Sequence, residues 1–155
     1  MGRKVQRVPV RLDPYHERAL SDDEIRLILR AADDLIMRGG RSLLAKLLKG
    51  SKQKVILEQG LDRSPAYGAM RELSIEEITR RIDWTIENGY LAIEYDYRLP
   101  LLRYTSAGWA IERDTYSAEL LDRLHQEIDR NGASGDIRWL SERHPEVLEL
   151  VVVRI

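Results

Sequence analysis

The chain has 155 residues, enough to bury one core, and with 43% apolar and 33% charged residues it has the composition of a rather polar globular domain, not of a disordered chain. It contains no cysteine, which excludes disulfides, thiolate metal sites and cysteine nucleophiles, and its formal net charge of −1 offers no overall attraction to a polyanion. No stretch approaches the roughly 20 apolar residues of a membrane span and the basic N-terminus has no signal-type apolar run, so a cytoplasmic protein without membrane contact is expected.

In chain order, residues 1–20 form a basic arm carrying Arg3, Lys4, Arg7 and Arg11. Ser21-Asp22-Asp23-Glu24 matches a capping box, and Ile25, Ile28, Leu29, Ala32, Leu35 and Ile36 recur at helical spacing, which predicts one helix up to Gly39-Gly40. A second helix is predicted over 42–49, with Leu43, Leu44, Leu47 and Leu48 apolar and Gly50 as its stop. Ser51 is placed to cap a third helix that runs to about Gln59, with Val55, Ile56 and Leu57 inward and Lys52, Gln53 and Lys54 outward. Asp62, Ser64-Pro65 and Gly68 are loop residues. Ser74 and Glu77 then make a second capping box, and Ile75, Ile78, Ile82 and Ile86 form the buried stripe of a helix that stops at Asn88-Gly89. Trp84 lies off that stripe, and coverage of its ring by the terminal extensions is expected.

After Gly89 the apolar period changes from helical to extended. Tyr90, Leu91, Ile93 and Tyr95, then Leu99, Leu101, Leu102 and Tyr104, flank Asp96-Tyr97-Arg98 as the turn of a hairpin. Pro100 cannot donate to a ladder, so its strand must be an edge. Farther on, Leu120, Leu121, Leu124 and Ile128 predict a helix ending near Asn131. A linker at 132–135 and a brief helix around Ile137, Trp139 and Leu140 follow, and Pro145 opens a last segment that suits either a helix or a strand. The expected fold is mainly α with a small β-hairpin wing (α+β), a winged helix-turn-helix with N- and C-terminal helical extensions. Its expected parts are an arm at 1–20, a helix at 21–40, the winged helix at 41–109 and a helical extension at 110–155.

Leu47-Leu48-Lys49-Gly50-Ser51, Ile56, Gly60-Leu61, Tyr67-Gly68, Ser74, Ile82, Gly89-Tyr90-Leu91 and Tyr104-Thr105 together resemble the RQC winged-helix family, the DNA-binding module C-terminal to the motor of RecQ helicases. The resemblance covers about half of the chain. The two motor domains and the cysteine-rich zinc module that precede the domain in a RecQ helicase are absent from these residues. Asp22-Asp23-Glu24-Ile25 superficially resembles an ATPase acid pair, but Gly50-Ser51-Lys52 lacks the phosphate-binding loop that ATP chemistry requires, so no enzyme activity is expected. His16, His125 and His144 are scattered without ligand spacing, and no metal or other cofactor is expected.

The candidate nucleic-acid contacts follow from charge, helix ends and the resemblance. Arg38, Arg41, Lys46, Lys49, Lys52 and Lys54 stand with no acid between them, as a phosphate-attracting face or a solvated helix face. Lys49, Gly50 and Ser51 suit one phosphate by charge, close backbone approach and hydroxyl, and the resemblance implies a grip on the DNA backbone; a plain turn with a serine cap is the alternative. Ser74 opens the helix equivalent to a recognition helix, where a second phosphate could meet the amides. On that helix Arg80 and Arg81 are the candidate contacts, Arg80 pairing otherwise with Glu76 or Glu77, and the acids Glu76, Glu77, Asp83 and Glu87 disfavour deep groove reading. The resemblance puts Tyr97 and Arg98 at the wing tip, where a ring can stack on the last base pair; a simple turn flank is the other reading. Tyr95 and Arg103 lie beside them, and Tyr67 is expected to sit under its loop. Three functions fit: a structure-recognising DNA binder acting alone or beside a helicase, a winged-helix regulator reading an operator as a dimer, and a protein-interaction module.

Overall fold

The structure is a computed structural model that describes residues 6–131 and 145–154. The expected linker at 132–135 and the brief helix around 137–140 lie outside the described residues. The elements are α1 (Asp22–Ala32), a 3-10 turn (Asp33–Leu35), α2 (Arg41–Lys49), α3 (Lys54–Glu58), a second 3-10 turn (Leu61–Arg63), α4 (Ile75–Glu87), β1 (Leu91–Asp96), β2 (Leu99–Tyr104), α5 (Ser106–Asn131) and α6 (Pro145–Arg154). This is a mainly helical chain with one antiparallel hairpin, as a winged helix requires. None of its described helices is long and apolar enough to cross a membrane. The chain divides into two compact units, Met1–Trp109 and Ala110–Ile155, with the boundary inside α5.

Both capping boxes form. Ser21 Oγ accepts from the Glu24 amide at 3.2 Å and the Glu24 carboxylate accepts from the Ser21 amide, and Ser74 and Glu77 repeat the exchange at the start of α4. The first helix is shorter than its apolar spacing predicts. It tightens into 3-10 geometry after Ala32, and Met37 takes a left-handed φ of 56°. Pairing with the hairpin is what ends it. The Met37 amide donates to the Leu102 carbonyl at 2.8 Å and the Leu102 amide donates to Gly39 at 2.9 Å, so 37–39 serve the edge of β2 instead of a further helical turn. The third helix is also shorter. Ser51 does not cap it: its hydroxyl accepts from Gln53, Gln53 is the N-cap, and the single turn leaves Ile56 buried but Leu57 49% exposed. Ile75, on the first turn of α4, is likewise exposed, so the buried stripe there begins at Ile78.

The core of the first unit gathers Ile28, Leu29 and Leu35 around Leu44, Leu47 and Leu48 of α2, Ile78 and Ile82 of α4, and Leu91 and Leu102 of the hairpin, all essentially excluded from water. Burial of each such side chain contributes on the order of 2 kcal/mol. Within this apolar interior lies one carboxylate, Asp83, with 1% of its side chain exposed. Arg41, the first residue of α2, meets it with both fork nitrogens, Nε at 2.5 Å and Nη2 at 2.6 Å, and the Asp13 amide donates to Oδ2 at 2.9 Å. Three parts of the chain thereby converge on one buried charge.

The arm is ordered by contacts of this kind. Beginning at the wing, the Val8 amide donates to the Arg98 carbonyl at 3.0 Å and Tyr95 Oη donates to the Val8 carbonyl at 2.8 Å. It then crosses α4, where the Tyr15 amide donates to the Arg80 carbonyl at 2.9 Å and the Tyr15 ring is buried with the Arg81 guanidinium 4.3 Å from its centroid. Arg81 also lies 3.6 Å from Glu24, whose other oxygen takes Arg18 at 2.6 Å. Burial pushes the Glu24 carboxyl up, but the hydrogen bonds from Arg18 and Ser21 outweigh it and hold it below the ordinary carboxylate range. Trp84 is half-buried by stacking on Tyr90, centroids 6.1 Å apart, so its cover includes a residue of the winged helix itself.

In the second unit, α6 settles the ambiguous C-terminal segment as a helix. Val147 and Val151 are buried, as are Leu120 and Leu124 of α5, and the Ser117 hydroxyl donates to the Val147 carbonyl at 3.3 Å.

Arg41→Ala strands a buried carboxylate and is expected to lower stability by about 3 kcal/mol or more in urea denaturation. Asp83→Ala leaves an arginine that is 21% exposed and can turn to water, so its loss should be smaller; the reverse order would show that the pair does not tie the core. For Glu24 the folded carboxyl has the lower pKa. Its stabilisation is therefore complete above the ordinary value of 4.5 and is lost as pH falls from there through the folded value. Glu24→Gln should therefore destabilise the chain at neutral pH and flatten the decline of melting temperature on acidification.

Candidate nucleic-acid interface

The Lys49-Gly50-Ser51 turn is built by the end of α2. Gly50 adopts a left-handed φ of 80°, its amide donates to Leu47 at 3.1 Å and the Ser51 amide donates to Lys46 at 2.9 Å, the two bonds of a Schellman cap. The loop that carries Tyr67-Gly68 then docks on this cap. Gly68 and Met70 amides donate to the Leu47 and Leu48 carbonyls, and Tyr67 Oη lies 2.9 Å from both the Gly50 and the Ser51 carbonyl. A Cβ on Gly50 would stand 3.0 Å from Gly68 Cα, so the close approach that this glycine permits is to the loop. Lys49 is turned the same way: Nζ donates to the Arg71 carbonyl at 2.7 Å and the Leu73 carbonyl at 2.8 Å. The string of residues that carries the family resemblance is thus also the clamp that folds residues 64–73.

Around this clamp the other candidates differ in what they offer. Ser51 is half-buried, Lys52 is exposed, and Lys54 is exposed with Glu58 3.5 Å away. At the start of α4, Ser74 spends its hydroxyl and amide on the capping box, and Glu76 and Glu77 bring negative charge to the same turn. Anions are disfavoured beside such a pair.

Arg80 and Arg81 belong to the arm. Arg80 Nη2 bonds to His16 Nδ1 at 2.9 Å and its Nε lies 3.7 Å from Asp13, while Arg81 donates to the Glu77 carbonyl at 3.0 Å and covers Tyr15. In place of the alternative pairing with Glu76 or Glu77, Arg80 takes these partners from residues 13–16. The arm brings charged and aromatic groups to α4 that no spacing along α4 itself could announce.

The wing tip is the opposite case. Leu91 to Asp96 pair in register with Tyr104 to Leu99, leaving Tyr97 and Arg98 as a two-residue turn. Tyr97 is 75% exposed and holds a left-handed φ of 58° without being glycine, and Leu99 beside it is 58% exposed. Such a backbone costs roughly 1 kcal/mol or more at a non-glycine residue. Arg98 is exposed and donates Nε to the Gln6 carbonyl at 3.0 Å, which leaves its terminal nitrogens toward solvent. Beside it, the Arg7 guanidinium lies 4.8 Å over the Tyr95 ring. The candidates therefore fall into three groups: the clamp at 49–51 with 67–73, α4 with the arm, and the wing tip with residues 6–8.

Two similarities to known proteins place this geometry. Over 85 residues the chain is 29% identical to the ATP-dependent DNA helicase RecQ of Bacillus subtilis (strain 168), a stretch that takes in 55% of this chain and 14% of the helicase. The RQC domain model matches residues 21–127, from the first capping box through the hairpin and into α5. With that match spanning most of its length, the chain belongs to the RQC domain family.

Proposed function

We propose that this chain is a non-catalytic DNA-binding protein that recognises duplex ends or forks through its wing, alone or beside a helicase supplied by another chain. The observation that carries the reading is Tyr97: a large ring, three-quarters exposed, held on a strained turn at the tip of a paired hairpin. An exposed aromatic on a rigid support can replace the stacking partner of a terminal base pair, worth about 1 to 3 kcal/mol per base. The domain's membership of a family found in RecQ helicases supports the same reading. An operator reader would instead insert α4 in a groove, and the arginines of α4 are engaged by the arm. Salt-sensitive binding with little sequence preference follows from contacts to phosphate and to a base-pair face alone.

Fluorescence anisotropy at low salt on forked, blunt and single-stranded DNA tests this directly, and absence of binding to all three would sink it. Tyr97→Ala should weaken binding to duplex ends about tenfold and to an end-free closed duplex much less; equal losses would remove the stacking role. Tyr97→Gly separates function from folding. Glycine accepts the left-handed turn, so this variant should melt higher than the parent while binding ends as poorly as the alanine variant.

A further inference from the structure

Most cations near the family motif and α4 are spent inside the chain. Arg41 is on Asp83, Lys49 on two carbonyls, Arg80 on Asp13 and His16, and Arg81 on Glu24 and Tyr15. Arg7 and Arg11, like Lys52 and Arg63, are exposed and among the described residues meet no carboxylate, but they alone of these lie beside the wing tip's Arg98 or on the arm that leads from it. Arg7, Val8 and Pro9 are exposed and exposure then alternates, with Arg11 exposed and Val10 and Leu12 partly buried; four residues apart on an extended run, the two arginines share a side.

Their backbone is fixed by four bonds outside the arm. Val8 is held by the Arg98 carbonyl and by Tyr95 Oη, the Gln6 carbonyl accepts from Arg98 Nε, and the Arg11 carbonyl accepts from Arg41 Nη2 at 3.4 Å. The guanidinium of Arg7 lies over the Tyr95 ring. Cross-strand pairing places Tyr95 with Pro100 on one face of the hairpin, whereas Glu94 and Asp96, with Leu101 and Leu99, alternate onto the other. The basic edge thus begins beside Tyr97 and Arg98 and is turned away from the acidic side of the wing. At about 3.3 Å per residue, Arg7 and Arg11 stand roughly 13 Å apart, far enough to meet different phosphates.

We infer that Arg7 and Arg11, with Arg98, form a track for the sugar–phosphate backbone of the unpaired strand that leaves a duplex end at Tyr97. The inference rests on the DNA-end reading above and adds to it a surface outside the family match, which begins at residue 21. A strand displaced at the tip runs on along the arm, its phosphates meeting the Arg7 guanidinium held over Tyr95 and the Arg11 side chain carried on a tethered backbone.

The test is a salt titration of anisotropy with the full chain and its Arg7→Gln/Arg11→Gln variant, on a hairpin duplex with a single-stranded tail and on the same duplex blunt. On tailed DNA the variant should bind about tenfold more weakly at low salt, and the slope of log K against log salt should shrink by about 1.4, the value for two single-strand phosphates. On blunt DNA it should lose less than about twofold. Arg7→Lys/Arg11→Lys, which keeps both charges, should restore the slope. An unchanged slope on tailed DNA in a chain that binds it overturns the track alone, as do equal losses on tailed and blunt DNA. Failure of the unsubstituted chain to bind any DNA overturns the end-recognition reading and the track together.

Discussion

The Arg41–Asp83 pair is the constraint on which the rest of the first unit depends. A carboxylate with 1% exposure in the middle of α4 is tolerable only if its charge is met, and the fork of Arg41 meets it with two short bonds while the Asp13 amide takes a third. Satisfying that one group fixes how the start of α2 approaches α4 and where the arm crosses both. A purely apolar contact between the two helices would be as stable or more so, but it would tolerate sliding and would remove the acceptor that holds the Asp13 amide. Once Asp13 is anchored, Tyr15 drops onto α4 under Arg81, and the residues before it are led back to the wing.

The residues that carry the family resemblance are largely used inside the fold. Lys49 and Gly50 read in the linear sequence as a phosphate-facing charge and glycine, yet with Tyr67, which sits under its loop as expected, they lock the 64–73 loop against the end of α2. Their chemistry is that of a Schellman cap with its exposed carbonyls covered, which is what a sharp turn followed by an irregular loop needs. A left-handed backbone with an exposed apolar side chain is found at Met37, where pairing with β2 accounts for it, and at Tyr97, where no contact among the described residues does.

A net charge of −1 and a localised basic surface are compatible because pairing removes charges selectively. The arginines of α4 meet carboxylates among residues 13–24, whereas Arg7 and Arg98 at the wing are exposed and meet only a ring and a carbonyl among the described residues. The arm therefore has two roles along its length: residues 13–18 close a helix face and residues 6–11 extend a hairpin edge.

Much that is decided by neighbours within a turn was legible in the sequence: both capping boxes, the glycine stops at Gly50 and Gly89, the change of period after Gly89, and the hairpin turn, expected at Asp96-Tyr97-Arg98 and formed by the last two of these with Asp96 paired in β1. These rest on hydrogen bonds and sterics between residues three or four apart, so the order of side chains specifies them. The end of α1, the start of α3, the partner of Trp84 and the fate of each cation were decided elsewhere. Arg41 finds Asp83 at a separation of 42 residues, Arg80 finds His16 at 64 and Arg98 finds Gln6 at 92. A charge run looks the same whether its members will be buried against carboxylates or left to water. Only the packing of α2, α4 and the arm around Asp83 chooses between those outcomes.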